Sequence, residues 1–283
     1  MAATAARRSR VTSCQIPQCG ITPAVSRIMN GKEADLNSLP WMALLLYQNR
    51  RTLRTYSTTM CAGSLINSRY VLTAAHCILF TEDSIKSVRL GEHNTTSNPD
   101  TVNPNTTNSK TAPPYLEVKV GDAIYHHNFH SVNGVYINDI ALLRLDLPVR
   151  YTREIRPICL SPGPHFANHH FENYNLKVAG WGASHKQKNT VLLWGNVTGL
   201  NPSKCRNLHF RRDIHICAGG QDGTDTCKGD SGGPLMATIG KSYNEFVYLA
   251  GITSYGSSAC GWRPGVYTST IKFIDWIKTK LKP

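Results

Sequence analysis

The chain has 283 residues, of which 41% are hydrophobic and 17% charged, a balance typical of a folded protein that excludes a disordered one. The 31 lysines and arginines outnumber the 18 aspartates and glutamates and give a formal net charge of +13. This charge could draw the protein to anionic surfaces, but no continuous basic tract, zinc spacing or RNA motif supports a nucleic-acid partner.

Residues 1–27 contain four arginines and no acidic residue, and they lack the apolar core of a signal peptide. We predict an exposed, flexible segment, and either the natural start lies upstream or these first residues are artefactual. Nine cysteines without a metal-type Cys-x-x-Cys pair favour disulfides and an oxidising compartment. No apolar run reaches the length of a membrane span. We therefore expect a secreted, extracellular protein, glycosylated at the sequons of Asn94, Asn105 and Asn196.

From Ile28 onward, short apolar runs alternate with turn residues and show almost no helical periodicity. Residues 95–114, rich in threonine, asparagine, serine and proline, predict a surface loop. Isoleucine and leucine at positions 271, 274, 277 and 281 recur at helical spacing and predict an amphipathic C-terminal α-helix. Many short strands predict an all-β sandwich or β-barrels, with strands over residues 43–47, 64–74, 87–90, 115–120, 140–145, 176–181, 191–194, 214–217, 234–237, 246–253 and 265–268.

The segment from Asp225 to Pro234 places a candidate hydroxyl nucleophile, Ser231, among glycines. Gly229 and the backbone around it can present N–H groups to an oxyanion, because a residue without Cβ tolerates the turn that this requires. A serine hydroxyl is a weak nucleophile at neutral pH, so Ser231 needs a general base beside it.

A candidate base, His76, follows an apolar strand, and a candidate orienting carboxylate, Asp139, opens another. Alone, such a histidine is more often a satisfied interior residue, and such an aspartate is more often a turn residue. Two further histidine clusters lack a carboxylate or cysteine at ligand spacing, so we predict no metal site at either; they comprise His126, His127 and His130, and His165, His169 and His170.

Together, TAAHC around His76, NDIALL around Asp139 and GDSGGP around Ser231 resemble the trypsin-like serine proteases of the chymotrypsin fold. The chain is most similar to the arthropod clip-domain type of extracellular protease, from its CGI, VRLGEH and RPICL segments, although the clip domain itself is absent. The resemblance implies a pro-segment over residues 1–27 and a protease domain over 28–283. It further implies two six-stranded antiparallel β-barrels packed together, roughly 28–150 and 151–270, and then the C-terminal helix.

The resemblance also implies roles for individual residues. His76 would take the proton from Ser231, Asp139 would orient the imidazole, and the N–H groups of Gly229 and Ser231 would bind the oxyanion. Asp225 would lie at the base of the primary pocket and select arginine or lysine, although a surface turn is its alternative. The other residues that would form the pocket are Thr226, Ser254, Gly256 and Gly265; Ser254 also matches the family serine that contacts the triad aspartate.

Activation and disulfide pairing follow from the same likeness. Arg27–Ile28 resembles the zymogen cleavage site, and the freed Ile28 ammonium would pair with Asp230. An unpaired buried carboxylate costs about 3–5 kcal/mol, so we expect the uncut chain to be nearly inactive. The resemblance implies four disulfides: Cys61–Cys77, Cys205–Cys217, Cys227–Cys260 and Cys19–Cys159. The last would tether the pro-segment, and choosing Cys19 for it instead of the nearby Cys14 is a guess. Cys14 is then left without a partner in this prediction.

No cofactor is required by this chemistry. Some relatives bind Ca²⁺ in the loop that Glu92 opens here, with Glu117 as a possible second carboxylate. Relatives also often carry a disulfide in this loop where Thr101 and Thr111 stand, so we expect a more mobile loop.

Two functions are open. The leading hypothesis is a secreted serine endopeptidase, made as a zymogen, that hydrolyses peptide bonds after Arg or Lys. Its partners would be protein substrates with such a residue at the cleaved bond, an upstream activating protease and protein inhibitors such as serpins. The alternative is a non-catalytic protease homologue that acts as a binding or cofactor protein in an extracellular cascade.

Overall fold

The computed structural model describes residues 19–21, 32–79, 83–160, 166, 168–182, 189–220, 230–240, 245–256 and 262–283. Seventeen strands and two α-helices account for its regular structure, together with short 3-10 turns. In chain order these are β1 (Lys32–Glu33), β2 (Met42–Gln48), β3 (Thr55–Asn67), β4 (Tyr70–Thr73), α1 (His76–Leu79), β5 (Ser84–Leu90), β6 (Thr101–Val102), β7 (Lys110–Thr111), β8 (Leu116–Tyr125), β9 (His130–Val132), β10 (Val135–Ile137), β11 (Ala141–Leu145), β12 (Asn175–Gly180), β13 (Leu193–Thr198), β14 (His215–Ala218), β15 (Pro234–Ile239), β16 (Phe246–Gly256), β17 (Gly265–Ser269) and α2 (Ile274–Lys280).

Six antiparallel strands close the first barrel in the order β11-β4-β3-β2-β5-β8. Alternate side chains of a strand point to opposite faces, and β2 buries both of its faces almost completely. The single strand predicted over residues 64–74 was wrong, because the chain turns between β3 and β4. There the side chain of Asn67 accepts a hydrogen bond from the N–H of Arg69 at 2.8 Å, a local turn that breaks the strand.

The second sheet has the order β1-β13-β12-β15-β16-β17-β14. Its edges meet along a short seam: the Leu200 N–H donates to the Cys217 carbonyl at 2.8 Å and the Gly219 N–H to the Thr198 carbonyl at 3.0 Å. Gly199 lies in this seam, where a Cβ would come within 1.8 Å of a carbonyl oxygen. The all-β class is confirmed, with one regular barrel and a second sheet that closes only through this seam. β1 was not predicted, and it joins the second sheet although it precedes the first barrel.

The predicted C-terminal helix begins as a 3-10 turn over Thr270–Phe273 and continues as α2. Phe273 and Ile277 are buried in the core that the first barrel forms with its neighbours. The Lys282 N–H donates to the hydroxyl of Tyr70 at 2.9 Å, which fastens the chain end to β4. In the described residues, no helix is both long and apolar enough to span a membrane.

Three of the four predicted disulfides are present. Cys61–Cys77 joins β3 to α1, Cys205–Cys217 joins a 3-10 helix to β14, and Cys19–Cys159 spans 140 residues. Cys19 is fully buried, and the N–H of the next residue donates to the carbonyl of Pro157 at 2.9 Å. The fourth pair, Cys227–Cys260, and the spare Cys14 lie outside the described residues.

The loop that follows Glu92 is exposed over most of its length, as predicted, and contains the small β6–β7 ladder. Thr101 pairs directly with Thr111, and their hydroxyl oxygens lie 3.0 Å apart. A threonine–threonine hydrogen bond therefore occupies the place that the resemblance assigned to a missing disulfide. The greater mobility of the loop stays a prediction.

Replacing both threonines by cysteine, Thr101→Cys with Thr111→Cys, should restore a disulfide. Directly opposed residues of an antiparallel pair have Cα atoms about 4.5–5.5 Å apart, within the range of a disulfide. Closing this loop should stabilise the protein by about 2–3 kcal/mol through the unfolded state. Non-reducing peptide mapping and urea unfolding measure both effects, with Thr101→Cys alone as the control. Two free thiols after oxidation would contradict the pairing.

Candidate active site

The register of two neighbouring strands brings His76 and Asp139 together. β4 and β11 are antiparallel, with Ala141 paired to Thr73, so the residues just after β4 and just before β11 lie at the same end of the barrel. His76 begins α1 there, and its Nδ1 lies 2.8 Å from Oδ2 of Asp139. The backbone N–H of His76 donates to Oδ1 of the same carboxylate at 2.9 Å. One aspartate thus holds both the ring and the main chain of the histidine.

Asp139 is fully buried and also contacts the second sheet. The Ser254 hydroxyl in β16 donates to Oδ2 of Asp139 at 2.5 Å, and the Thr268 hydroxyl in β17 donates to the Asp139 backbone carbonyl at 2.9 Å. Burial alone would raise the pKa of Asp139, but the adjacent His76 and the hydrogen bonds from His76 and Ser254 together hold this pKa below its usual range. The carboxylate is therefore kept ionised where the two halves of the molecule meet.

Ser231 lies beside the same strands. The Ala62 N–H in β3 donates to the carbonyl of Ser231 at 2.8 Å, and the Gly232 N–H donates to the Thr253 carbonyl in β16 at 2.9 Å. Gly232 has φ 74°, and a Cβ on it would lie 2.2 Å from the hydroxyl oxygen of Thr73, at the end of β4 that leads to the histidine. The backbone around the candidate nucleophile is thus fixed against β3, β4 and β16, of which β4 leads to His76 and β16 carries Ser254.

Asp230 accepts a hydrogen bond from the Gly182 N–H at 2.9 Å. Cβ atoms on Gly180 and Gly182 would lie 2.1 Å and 2.5 Å from Oδ1 of this carboxylate, so glycine is required on that side. The residues expected to complete activation and the oxyanion site, Arg27, Ile28 and Gly229, lie outside the described residues.

The described glycines of the predicted pocket lie at the ends of two neighbouring strands. Gly256 and Gly265 are paired across β16 and β17, and a Cβ on Gly256 would contact the Gly265 Cα at 3.5 Å. Gly220, just after β14, has φ 73°, and a Cβ there would collide with the neighbouring main chain. Asp225 and Thr226 lie outside the described residues, in a segment that begins directly after Gly220.

Sequence reasoning missed an aromatic cluster around the histidine. The ring of Tyr136 stacks on His76 with centroids 4.8 Å apart, and Tyr255 packs edge-on against Tyr136 at 5.9 Å. His215 lies behind Tyr255 at 5.6 Å, and burial lowers the pKa of His215 to about 4. These residues come from β10, β14 and β16, and no local motif links them.

The donor atoms of Cys61, His76 and Cys77 are the single described group of three close enough to hold a metal ion. The two sulfurs are already bonded to each other as a disulfide, so they are not free thiolates that could bind a metal.

The position of Arg89 argues against the calcium site predicted at Glu92 and Glu117. Its guanidinium lies between the two candidate carboxylates, with Nη1 3.2 Å from Glu92 Oε2 and Nε 3.3 Å from Glu117 Oε2. The nearby Asp100 accepts backbone N–H groups from residues 93 and 94 at 3.0 Å each. An arginine thus supplies the positive charge for Glu92 and Glu117, and these two residues do not fit a calcium site.

Glu92 should make stability depend on pH. Burial, and then the charge of Asp100, raise the pKa of Glu92 from 4.5 to about 7. The folded protein therefore keeps a proton that the unfolded chain releases, so stability from this group falls as pH rises from about 4.5 to about 7. Glu92→Gln cannot ionise, so its unfolding free energy relative to wild type should rise by up to about 3 kcal/mol across this window.

Urea unfolding followed by tryptophan fluorescence, at a pH below and a pH above the window, measures this difference. Glu117→Gln is the matched control, since it removes the exposed carboxylate on the other side of Arg89. Parallel pH dependence in wild type and Glu92→Gln would show that Glu92 keeps an ordinary pKa.

The sequence was compared with protein families and with known proteins. A family model described as Trypsin matches residues 28–277. The Spaetzle-processing enzyme of Drosophila melanogaster is 42% identical over 94% of this chain and 68% of that protein. The CLIP domain-containing serine protease HP8 of Bombyx mori is 38% identical over 93% of this chain and 72% of that protein.

A solved structure, described as the Drosophila Grass clip serine protease of the Toll pathway, superposes with a TM-score of 0.78. It is 33% identical in sequence and is matched over 92% of this chain and 73% of that chain. The closed barrel, the rolled second sheet and the short C-terminal helix form a chymotrypsin-like fold, and the predicted family is confirmed. The chain belongs to the trypsin family of serine proteases, with arthropod clip-domain proteases among its relatives.

Proposed function

We propose that this chain is a secreted trypsin-like serine endopeptidase, made as a zymogen, that cleaves protein substrates after arginine or lysine. One observation carries the proposal: the buried carboxylate of Asp139 holds His76 and Ser254, while the backbone around Ser231 is bonded to the strands beside them. An ionised carboxylate buried where the two halves of the fold meet is typical of a functional site, and here its partner is the imidazole of His76.

In the proposed reaction, Oγ of Ser231 attacks the carbonyl carbon of the scissile bond as His76 takes the hydroxyl proton. Asp139 keeps Nδ1 of the imidazole oriented and stabilises its charged form. The N–H groups of Gly229 and Ser231 would bind the oxyanion, and losing one such donor costs about 3 kcal/mol of transition-state stabilisation. His76 then protonates the leaving amine, and water releases the acyl group by the same route. The reaction calls on no cofactor.

The proposed specificity rests on Asp225, with Thr226, Gly256 and Gly265 around it. A carboxylate at the base of a narrow pocket pairs with a cationic side chain, in two parallel hydrogen bonds when that side chain is arginine. The facing glycines Gly256 and Gly265 carry no side chains that would fill the proposed slot, which suits a long substrate side chain.

Activation is proposed to follow cleavage after Arg27 by an upstream protease. The new Ile28 ammonium would pair with Asp230, whose carboxylate already accepts the Gly182 N–H. The buried Cys19–Cys159 disulfide would keep the released pro-segment, residues 1–27, attached to the protease domain over 28–283. Relatives described as a Spaetzle-processing enzyme and a Toll-pathway protease favour a regulated cascade, in which serpin-type inhibitors are expected partners.

Secretion is supported by three disulfides in the described residues, which persist in oxidising compartments. Among the three sequons, Asn105 is the exposed one, whereas Asn94 is half-buried and Asn196 lies within β13. We therefore propose Asn105 as the leading glycosylation site.

An active-site-directed phosphonate with an arginine side chain tests the enzyme against the non-catalytic homologue. Protein cleaved after Arg27 should be labelled at Ser231, because the reagent needs an activated hydroxyl and a cation-binding pocket. Mass mapping locates the label, and Ser231→Ala is the matched control. Absence of labelling on the cleaved chain would favour a binding protein.

The uncut Arg27→Gln protein should be nearly inactive. Full activity of Arg27→Gln would contradict the activation proposal.

Asp139→Asn tests the carboxylate. The amide keeps the shape but cannot stabilise the imidazolium and favours the wrong tautomer, so kcat should fall about 10⁴-fold while KM for a small arginine anilide changes little. Steady-state kinetics measure both constants on protein cleaved after Arg27. Asp122→Asn, an exposed aspartate in β8, is the control. An Asp139→Asn enzyme within tenfold of wild type would rule out the proposed role.

A further inference from the structure

We propose that Tyr47 is a positioning residue for the proposed reaction: its buried hydroxyl fixes the short helix α1 and thereby the place of the His76 ring. The inference rests on the proposed function, because it takes His76 as the general base. It is carried by the hydrogen bond from Tyr47 to α1, by the direction of the strand that carries Tyr47, and by the motion that the other contacts of α1 leave open.

α1 is a single turn, His76–Leu79, and depends on contacts with the rest of the protein. Helices shorter than about 12 residues are marginal on their own. The helical partner of the Cys77 carbonyl would be the N–H of residue 81, and α1 ends at Leu79. The Tyr47 hydroxyl donates to this carbonyl at 3.0 Å. Tyr47 thus pairs a carbonyl of the histidine turn that α1 itself does not pair.

The strand order explains how Tyr47 reaches α1. β2 and β4 are both antiparallel to β3, so they run in the same direction. Tyr47 lies near the end of β2, at the end of the barrel where β4 leads into α1. In the closed order β11-β4-β3-β2-β5-β8, β2 is the strand opposite β11. Opposite walls of the barrel therefore hold α1, through Asp139 just before β11 and through Tyr47 in β2.

An irregularity in β2 presents the Tyr47 side chain. Between Leu46 and Tyr47 the pairing with β5 shifts from Ser87 to Ile85, and such a bulge changes the direction of the side chain beside it. The Tyr47 side chain is fully buried in the core of the first barrel. Burial raises the pKa of the Tyr47 hydroxyl, so it stays protonated and remains a donor throughout the neutral pH range.

The other contacts of α1 leave one motion open. Asp139 binds both the ring and the main-chain N–H of His76, so both hydrogen bonds act at the first residue of the helix. The Cys61–Cys77 disulfide limits the distance between β3 and α1, but the single bonds of a cystine allow the helix to turn about this link. A hydrogen bond to the Cys77 carbonyl fixes the peptide plane itself. Tyr47 therefore supplies the point that stops α1 from pivoting about Asp139.

Such a pivot would move the general base, and a displacement of about 1 Å can cost about 100-fold in rate. Tyr47→Phe keeps the ring and removes one oxygen, which leaves the buried Cys77 carbonyl without this donor. We expect kcat to fall about tenfold, since α1 keeps its other two anchors. KM should change by less than about twofold, because the buried Tyr47 side chain cannot touch a substrate.

Steady-state kinetics with a small arginine anilide, on protein cleaved after Arg27, separate kcat from KM. Tyr70→Phe is the matched control, because Tyr70 is as buried as Tyr47 and its hydroxyl also binds main chain, at Lys282. Tyr70 lies at the opposite end of β4 from His76, so this control should keep kcat within about twofold of wild type. Urea unfolding verifies that both variants fold.

A second measurement does not depend on catalysis and uses protein that carries Ser231→Ala. The proton between His76 Nδ1 and Asp139 should give a low-field proton NMR resonance, which ¹⁵N-histidine labelling assigns. Tyr47→Phe should speed its exchange with solvent about tenfold, and Tyr70→Phe should leave it unchanged. Faster exchange in Tyr47→Phe, together with a wild-type chain that shows no turnover, would refute the proposed function but keep the role of Tyr47 in holding His76.

Three results would overturn the role of Tyr47. The first is a Tyr47→Phe protein whose exchange rate matches that of wild type. The second is a change in KM with kcat unaltered, which would place Tyr47 in substrate binding. The third is an equal loss in Tyr47→Phe and Tyr70→Phe, which would show a general effect of removing a buried hydroxyl from the barrel.

Discussion

The buried charge of Asp139 is the constraint on which the rest of the site depends. An ionised carboxylate without solvent is costly unless donors surround it, and here three do: the ring and main chain of His76, and the Ser254 hydroxyl. These donors come from the first barrel and from β16 of the second sheet. Satisfying one charge therefore aligns the two halves of the fold, and the same carboxylate orients the imidazole of His76.

The other parts of the site are placed by main-chain register more than by side-chain packing. Antiparallel pairing of β4 with β11 sets His76 opposite Asp139, and backbone hydrogen bonds to β3 and β16 set Ser231. Glycines fill the positions where the main chain approaches most closely, as at Gly232 against Thr73. Loops that carry the pocket residues can then vary in sequence while the three chemical groups keep their positions.

Local signals predicted most of the longer strands and the C-terminal helix, because periodicity is a property of neighbouring residues, whereas the three described disulfide pairs were predicted from the family resemblance. Features created by distant residues escaped prediction. The seam at Gly199, the stacking of Tyr136 on His76 and the bridging of Glu92 and Glu117 by Arg89 each join separate elements. A sequence shows which residues carry a charge, but only the fold shows which partner neutralises it.

The same distinction explains how a net charge of +13 is distributed. Asp139 and Glu92 are buried, and Asp213 and Glu117 form ion pairs with arginines. Part of the negative charge is therefore compensated within the protein. Exposed basic residues such as Arg50, Arg51 and Arg54 then carry the excess positive charge at the surface. A surface charge of this kind raises the encounter rate with anionic molecules in general, and it does not by itself select one partner.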